Sequence, residues 1–232
     1  MTTPLEELSE IRRAILLLIK QEQRATIGEL AAQLGVTYEA VRQQIVQMEA
    51  DGWVAAEAAR EDAPRVGRPT RVYMLTTAGE HLFPKEYDLL TVDLLDSVTE
   101  QMGPGGLRQV LASLTEKRVR AWLPRLEGKS LAERVEALRG IYLENDPFME
   151  TAEADGDLLL VERNCPFLSV AMERPALCSV TVASLQRLLG VRVRREERFQ
   201  AGHGRCVFRA MPGEPLSADH PAFEFEEPPG EE

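Results

Sequence analysis

The stretch ATIGELAAQLGVTYEAVRQQIVQMEADGWV, residues 25–54, decides the fold of the N-terminal region. Its first part predicts a short helix that ends at Gly35, because glycine readily takes the left-handed conformation that closes a helix. Thr37 is a good N-cap for a second helix, which has apolar residues at helical spacing and ends near Gly52. Two helices joined in this way can lay the second one in the major groove of DNA, although any small helical bundle can contain such a pair.

A β-hairpin is predicted after the two helices. Residues 53–59 and 71–75 favour strands, and the segment EDAPRVGRPT between them is a loop that carries two arginines. Such a hairpin is a wing, whose arginines can contact phosphates or the minor groove. For the polar residues of the second helix, a solvated face is the alternative to DNA contact. The predicted DNA-contacting residues are Thr37, Tyr38, Arg42, Gln43, Gln44, Gln47, Arg65, Arg68 and Arg71.

Composition restricts the class of protein. The formal net charge of -11 argues against a generic cationic coat for nucleic acid, because phosphate binding depends on Lys and Arg. Part of the acidity belongs to residues 211–232, which contain no Lys or Arg and are expected to form a disordered tail. Neither an apolar run of membrane-spanning length nor a secretory signal is indicated, so we expect a cytoplasmic protein that does not contact a membrane. No catalytic constellation is visible, and we expect no enzyme activity.

The middle of the chain, residues 87–145, is predicted to be helical. Residues 87–101 and 107–123 have helical periodicity and are separated by the turn-rich segment MGPGG, and Ser130 opens a further helix with the capping-box pattern SLAE. Intramolecular core is the usual role of such apolar helices. Because a winged helix normally reads a two-fold operator, however, we expect this region to link the domains and to join two subunits into a homodimer.

Residues 146–210 predict a small α+β domain that contains all three cysteines of the chain. Strand patterns flank the turn signal at residues 154–157, two helices follow, and a second hairpin returns to Cys206. Cys165 follows a strand, Cys178 precedes a helix and Cys206 lies beside a turn, so the thiols can face a shared point. Spacing alone leaves three interpretations open: buried structural thiols, a zinc site and an iron-sulfur site.

Two motif regions resemble the SufR group of bacterial transcriptional regulators, near relatives of the DeoR and ArsR-type repressors. The first comprises residues 25–54 together with VGRPTRVYMLTTAGEHLFPKEYDLL, residues 66–90, in which the Gly-Arg-Pro wing is the more specific part. The second is NCPFLSVAMERPALC, residues 164–178, followed by a cysteine in a Gly-rich hairpin. The resemblance covers the chain from about Ile11 to about Phe208.

The resemblance implies a cofactor and its ligands. In SufR regulators the cysteines of this domain bind an iron-sulfur cluster, and the cluster-loaded dimer represses genes for cluster assembly. Carried over residue by residue, Cys165, Cys178 and Cys206 are the candidate ligands of a 4Fe-4S or 2Fe-2S cluster. Some family members have a further cysteine near residues 190–193, and this chain has none there. His203 is then the first candidate for a fourth ligand, ahead of Asn164, Glu162 and Glu173.

The leading hypothesis is therefore a cluster-sensing repressor of cluster assembly (suf) genes that binds operator DNA as a homodimer. Its expected parts are a winged-helix domain at 1–86, a helical linker and dimerisation region at 87–145, an α+β cluster-binding domain at 146–210 and an acidic tail at 211–232. Two alternatives stay open. One is a winged-helix DNA-binding regulator that zinc stabilises and whose effector is unknown, and the other is a winged-helix module that binds a protein partner.

Overall fold

The computed structural model describes residues 4–58 and 70–226, and the chain divides into two compact units, Met1–Glu86 and Tyr87–Glu232. The division coincides with the predicted end of the winged-helix domain. Arg65 and Arg68, the two predicted wing arginines, lie outside the described residues. The α+β class is confirmed, with helices in both units and the larger sheet in the second.

The described residues of the first unit form three helices, a two-stranded sheet and a short fourth helix. The elements are α1 (Glu10–Glu22), α2 (Ile27–Leu34), α3 (Tyr38–Ala50), β1 (Val54–Ala58), β2 (Arg71–Leu75) and α4 (Thr77–Glu80). Strands β1 and β2 pair antiparallel. Buried residues of α1, α2, α3 and both strands share one apolar core, which fixes α3 against the rest of the unit.

Local sequence explains why α2 and α3 form where they do. Thr26 and Glu29 form a reciprocal capping box at the start of α2, and Gly35 closes that helix with a φ of 65°. The Thr37 hydroxyl then accepts a hydrogen bond from the Ala40 amide over 3.2 Å, which caps α3. The predicted helix-turn-helix is confirmed.

The described residues of the second unit form four α-helices and a four-stranded antiparallel sheet, with short 3-10 turns between them. The elements are α5 (Tyr87–Trp122), α6 (Leu131–Tyr142), β3 (Glu150–Ala154), β4 (Asp157–Glu162), α7 (Leu168–Glu173), α8 (Ser179–Leu189), β5 (Val191–Glu197) and β6 (Cys206–Pro215). The strand order is β3-β4-β6-β5. Among the described residues, no helix has both the length and the apolar content that crossing a membrane requires.

Two predicted boundaries within the second unit differ from the structure. The turn-rich break at MGPGG is a kink inside α5, where Gly103 takes a φ of 68° and Pro104 begins the next helical segment. The regions at 87–145 and 146–210 also share one core, in which Val119 of α5 and Leu138 of α6 pack with residues of α8 and the sheet. They therefore form one unit and not a linker with a separate domain.

The expected disordered tail also differs from the structure over its described part. Strand β6 extends to Pro215, and residues 216–226 continue along the second unit. Phe223 is 3% exposed and packs against apolar residues that include Val92 and Leu111. Its carbonyl oxygen accepts a hydrogen bond from Nη2 of Arg108 over 3.1 Å. The acidic composition suggested disorder, but these aromatic contacts anchor the segment, which we call the C-terminal strap (residues 216–226).

Candidate functional site

Helix α3 presents an exposed polar face in its first two turns. Val41 and Ile45 are fully buried and hold the opposite face against the core. Tyr38 is 57% exposed, and Arg42 and Gln43 are also exposed. These three of the predicted DNA-contacting residues therefore lie at the surface of the second helix of the helix-turn-helix, where a recognition helix carries its base contacts.

The guanidinium of Arg42 is held by its own helix in the DNA-free protein. Its Nε and Nη2 atoms donate to the two carboxylate oxygens of Glu39 over 2.8 and 2.7 Å. These hydrogen bonds lower the pKa of Glu39. Both side chains are about half exposed, and surface pairs of this kind contribute little stability, so Arg42 can exchange Glu39 for a phosphate or a base edge.

Two further predicted contacts, Gln44 and Gln47, are engaged by α1. Nε of Arg12 donates to Oε1 of Gln44 over 3.0 Å, and Nη2 of the same guanidinium donates to Oε1 of Gln47. These glutamines therefore brace α3 against α1. Of the remaining predicted contacts within the described residues, Thr37 is the exposed N-cap of α3, and Arg71 is exposed at the start of β2, where it pairs with Ala58.

The three cysteines come from three different elements of the second unit. Cys165 lies in the loop after β4, Cys178 immediately precedes α8, and Cys206 is the first residue of β6. Cys206 is buried, whereas the other two are partly buried. The predicted positions at element ends are those found, and packing brings the ends of these elements to one region of the unit.

The guanidinium of Arg195 interacts with two of the three thiols. Residues 191, 193 and 195 of β5 are buried while their neighbours are exposed, so Arg195 points to the same face of the sheet as the core valines. Its Nη1 lies 3.9 Å from Sγ of Cys206, and its guanidinium also interacts with the thiol of Cys178. A cation whose side chain is 3% exposed therefore stands between two cysteines.

The C-terminal strap supplies the carboxylate that holds Arg195. Nε and Nη2 of Arg195 donate to the two oxygens of Glu226 over 2.9 and 2.6 Å, and the backbone amide of Glu226 donates to Oγ of Ser179. Burial lowers the pKa of Arg195, but the hydrogen bonds and charges of Glu226 and Cys178 outweigh it and raise the pKa above its usual range. Arg195 is therefore a permanent cation at the cysteine region.

Cys165 and Cys178 line a common cavity of about 270 Å³. Arg118 of α5 also lines it, with its guanidinium carbon 5.6 Å from the ring centre of Phe167 and its Nη1 donating to Oγ1 of Thr181 over 3.0 Å. Several of the other lining residues, among them Leu114 and Val180, are apolar. The cavity thus offers two thiols, one cation and apolar surface, a combination that favours a group with negative charge.

Burial keeps two of the thiols protonated in the metal-free protein. It raises the pKa of Cys165 to about 12, with a further contribution from the charge of Glu162. Burial also raises the pKa of Cys206, although Arg195 opposes the shift. Since metals bind thiolates, loading this site has to release protons.

Asp146 holds the loop that presents Cys165. Its carboxylate is 1% exposed and accepts hydrogen bonds from the backbone amides of Phe148, Arg163 and Asn164 over 2.9, 2.6 and 3.1 Å. Sequence reasoning missed this role, since a single acid before a strand carries no distinctive pattern. It also missed Arg195, although the alternation in VRVRREE signals that this arginine points inward.

His203, the predicted fourth ligand, lies in the turn between β5 and β6. The side chain is exposed, and its Nδ1 accepts a hydrogen bond from the Arg198 amide over 3.0 Å. It does not line the cavity that holds Cys165 and Cys178. Among the described residues, no three His, Cys, Asp or Glu side chains are grouped so that they could hold a single metal ion.

Comparison with known proteins bears on the first unit. Residues 8–55 match the winged helix-turn-helix DNA-binding family. No curated protein matches the chain. Among solved structures, the adhesin competence repressor AdcR of Streptococcus pyogenes is 23% identical over 53% of this chain and 85% of that chain. Its TM-score of 0.27 is too low to support an inference. The family match and the capped α2–α3 pair agree, and the chain therefore carries a winged helix-turn-helix DNA-binding domain.

Proposed function

We propose that this chain is an iron-sulfur-cluster-sensing transcriptional regulator that binds operator DNA as a homodimer and represses cluster assembly (suf) genes. One observation carries the proposal: Cys165, Cys178 and Cys206 gather in one region of a unit that shares its chain with a DNA-binding domain. The sequence left two alternatives open, a zinc-stabilised regulator and a protein-binding module. Metal and sulfide content distinguishes the first from this proposal, and operator binding distinguishes the second.

The chemistry of the cysteine region fits an iron-sulfur cluster. Thiolates are the ligands that iron-sulfur clusters prefer, and this region supplies three cysteines. The positive charges of Arg118 and Arg195 compensate the negative charge that thiolates bring into a buried site. Cys178 also stands at the N-terminus of the 11-residue helix α8. A bound cluster would supply a group that is sensitive to oxidants and to iron supply.

The spacing of the donors favours a cluster over one zinc ion. A zinc-sulfur bond of about 2.3 Å in a tetrahedral site requires thiolate sulfurs roughly 3.8 Å apart. The described residues contain no such preformed group of three donors. A cluster separates its ligands by its own iron and sulfide atoms, so thiols such as those of Cys165 and Cys178, which line a cavity of about 270 Å³, suit it better.

A homodimer is supported by an apolar face on α5. Four large side chains in its first two turns, together with one at the kink, are more than half exposed, although soluble proteins seldom leave such a row uncovered. These residues are Tyr87, Leu89, Leu90, Leu94 and Met102. Regulation then follows from linkage, because cluster binding changes DNA affinity only by favouring one arrangement of the two DNA-binding domains.

Anaerobic purification tests the cofactor. We expect iron and acid-labile sulfide in comparable amounts and a broad visible absorption, all lost when Cys165, Cys178 or Cys206 is replaced by serine. Matched exposed serine substitutions such as Ala152→Ser should leave the iron content unchanged. A protein that contains zinc without sulfide would favour the zinc-stabilised regulator and refute cluster sensing.

Operator binding tests the other half of the proposal. We expect the cluster-loaded protein to bind its own promoter region or that of suf genes more tightly than the metal-free protein does. Replacing Arg65 and Arg68 together with alanine should weaken that binding, whereas Arg194→Ala in the second unit should not. Absence of promoter binding by the loaded protein would leave the protein-binding module as the better explanation.

A further inference from the structure

Glu162, the last residue of β4, is a buried carboxylate. It is 5% exposed, and none of the side-chain hydrogen bonds or ion pairs within residues 4–58 and 70–226 involves its carboxylate. Its interactions with the charges of Asp146, Arg118 and Arg195 are electrostatic only, without a hydrogen bond. Buried carboxylates in proteins are normally paired with a cation, hydrogen bonded or bound to a metal. Glu162 therefore lacks the partner that its position demands.

The position of Glu162 relates it to the candidate cysteine ligands. It stands directly opposite Cys206 in the antiparallel pairing of β4 with β6. Residues paired in this way point to the same face of a sheet, with Cβ atoms about 4.5–5.5 Å apart. Glu162 is also three residues before Cys165, and both line a cavity of about 100 Å³.

Tyr142 lines the same cavity together with Glu162 and Cys165. Its Oη is buried and has no hydrogen-bond partner among the described residues. Glu162 and Cys165 therefore both border the space in which a bound group would lie. By contrast, His203 is exposed and its Nδ1 is already bonded.

We propose that the carboxylate of Glu162 is the fourth ligand of the site formed by Cys165, Cys178 and Cys206. This inference rests on the proposed function, since it concerns the same cluster. Carboxylate oxygen is a harder and less electron-donating ligand than thiolate. The site would therefore hold iron least firmly at Glu162, and loss of iron there is the first response to oxidants or to iron shortage.

Substitutions of Glu162 test the assignment in protein reconstituted anaerobically with ferrous iron and sulfide. The variants are Glu162→Gln, which removes the anionic ligand, and Glu162→Cys, which replaces it with a thiolate. Glu153→Gln is the matched control, since Glu153 is an exposed acid on β3 of the same sheet. We expect Glu162→Gln to release its first iron to a chelator about tenfold faster than wild type, and Glu162→Cys to release it more slowly.

Unfolding of the metal-free variants separates ligation from a structural role. A buried carboxylate that lacks its metal destabilises the metal-free protein, so Glu162→Gln should raise the urea midpoint of the metal-free protein. In the cluster-loaded protein the same substitution removes a ligand and should lower the urea midpoint. The inference is overturned if Glu162→Gln lowers both midpoints, or if it releases iron at the wild-type rate. In either case the three thiols still bind a cluster. If wild type takes up no iron and sulfide, the proposed function falls as well.

Discussion

Breaking the ion pair between Arg195 and Glu226 should strongly destabilise the second unit. The two side chains are 3% and 13% exposed, and two hydrogen bonds join them. Removing one partner of a buried pair costs about 3–5 kcal/mol, because the other charge stays buried. Arg198 lies 3.5 Å from the same carboxylate and offsets part of this cost, so we expect Arg195→Met to lose about 3 kcal/mol.

Thermal and urea unfolding of the metal-free protein measure this loss. For a unit of this size, 1 kcal/mol corresponds to about 2–4 °C, so Arg195→Met should lower the melting temperature of the second unit by roughly 6–12 °C. Arg194→Met is the matched control, because Arg194 is the exposed neighbour on the same strand and should cost less than about 0.5 kcal/mol.

A double-mutant cycle with Glu226→Gln identifies the partner. If loss of the pair causes the destabilisation, the double variant Arg195→Met/Glu226→Gln should be more stable than Arg195→Met alone. The reason is that a neutral amide then replaces the carboxylate that Arg195→Met leaves unpaired. Strictly additive losses, or equal losses for Arg195→Met and Arg194→Met, would refute the reasoning. The C-terminal strap would then be held by Phe223 and not by its carboxylate.

Three further predictions concern other parts of the chain. Gly79→Ala should destabilise the first unit by about 1–3 kcal/mol in urea unfolding, because the new Cβ would meet the carbonyl oxygen of Trp53 at 2.1 Å. An unchanged urea midpoint would contradict that close approach. Hydrogen bonds from Lys20 lower the pKa of Glu80 below its usual 4.5. Their contribution to the stability of the first unit is therefore present above that pH and is lost as the pH falls through the lowered pKa. Lys20→Met should make the melting temperature depend less on pH in this acidic range. Leu94→Glu on the apolar face of α5 should shift the protein from dimer to monomer in size-exclusion chromatography with light scattering, and an unshifted dimer would place the subunit interface elsewhere.

The sequence was sufficient for the parts of the fold that short-range rules determine. Thr37 caps α3 with its own side chain and Gly35 ends α2, so both boundaries follow from residues a few positions apart. The turn between β3 and β4 is likewise local, with Asp155 and Gly156 both at positive φ. Such features need no knowledge of the tertiary structure.

Long-range packing accounts for what the sequence did not reveal. Glu226 reaches Arg195 across 31 residues, and an acidic segment that contains five prolines (residues 211–232) reads as disorder until its aromatic anchor is known. The prediction of Gln44 and Gln47 as DNA contacts likewise took no account of Arg12, which lies on another helix. Sequence spacing likewise ranked Glu162 after His203 as a candidate fourth ligand, because strand pairing and not spacing brings Glu162 beside Cys206.

The C-terminal strap has a consequence for shortened forms of the chain. A chain that stops before the strap keeps Cys165, Cys178, Cys206 and Arg195 but lacks Glu226, so the buried guanidinium loses the carboxylate that holds it. The apolar core around Phe223 loses that side chain as well. A fragment made for structural work on the cysteine region should therefore extend through residue 226.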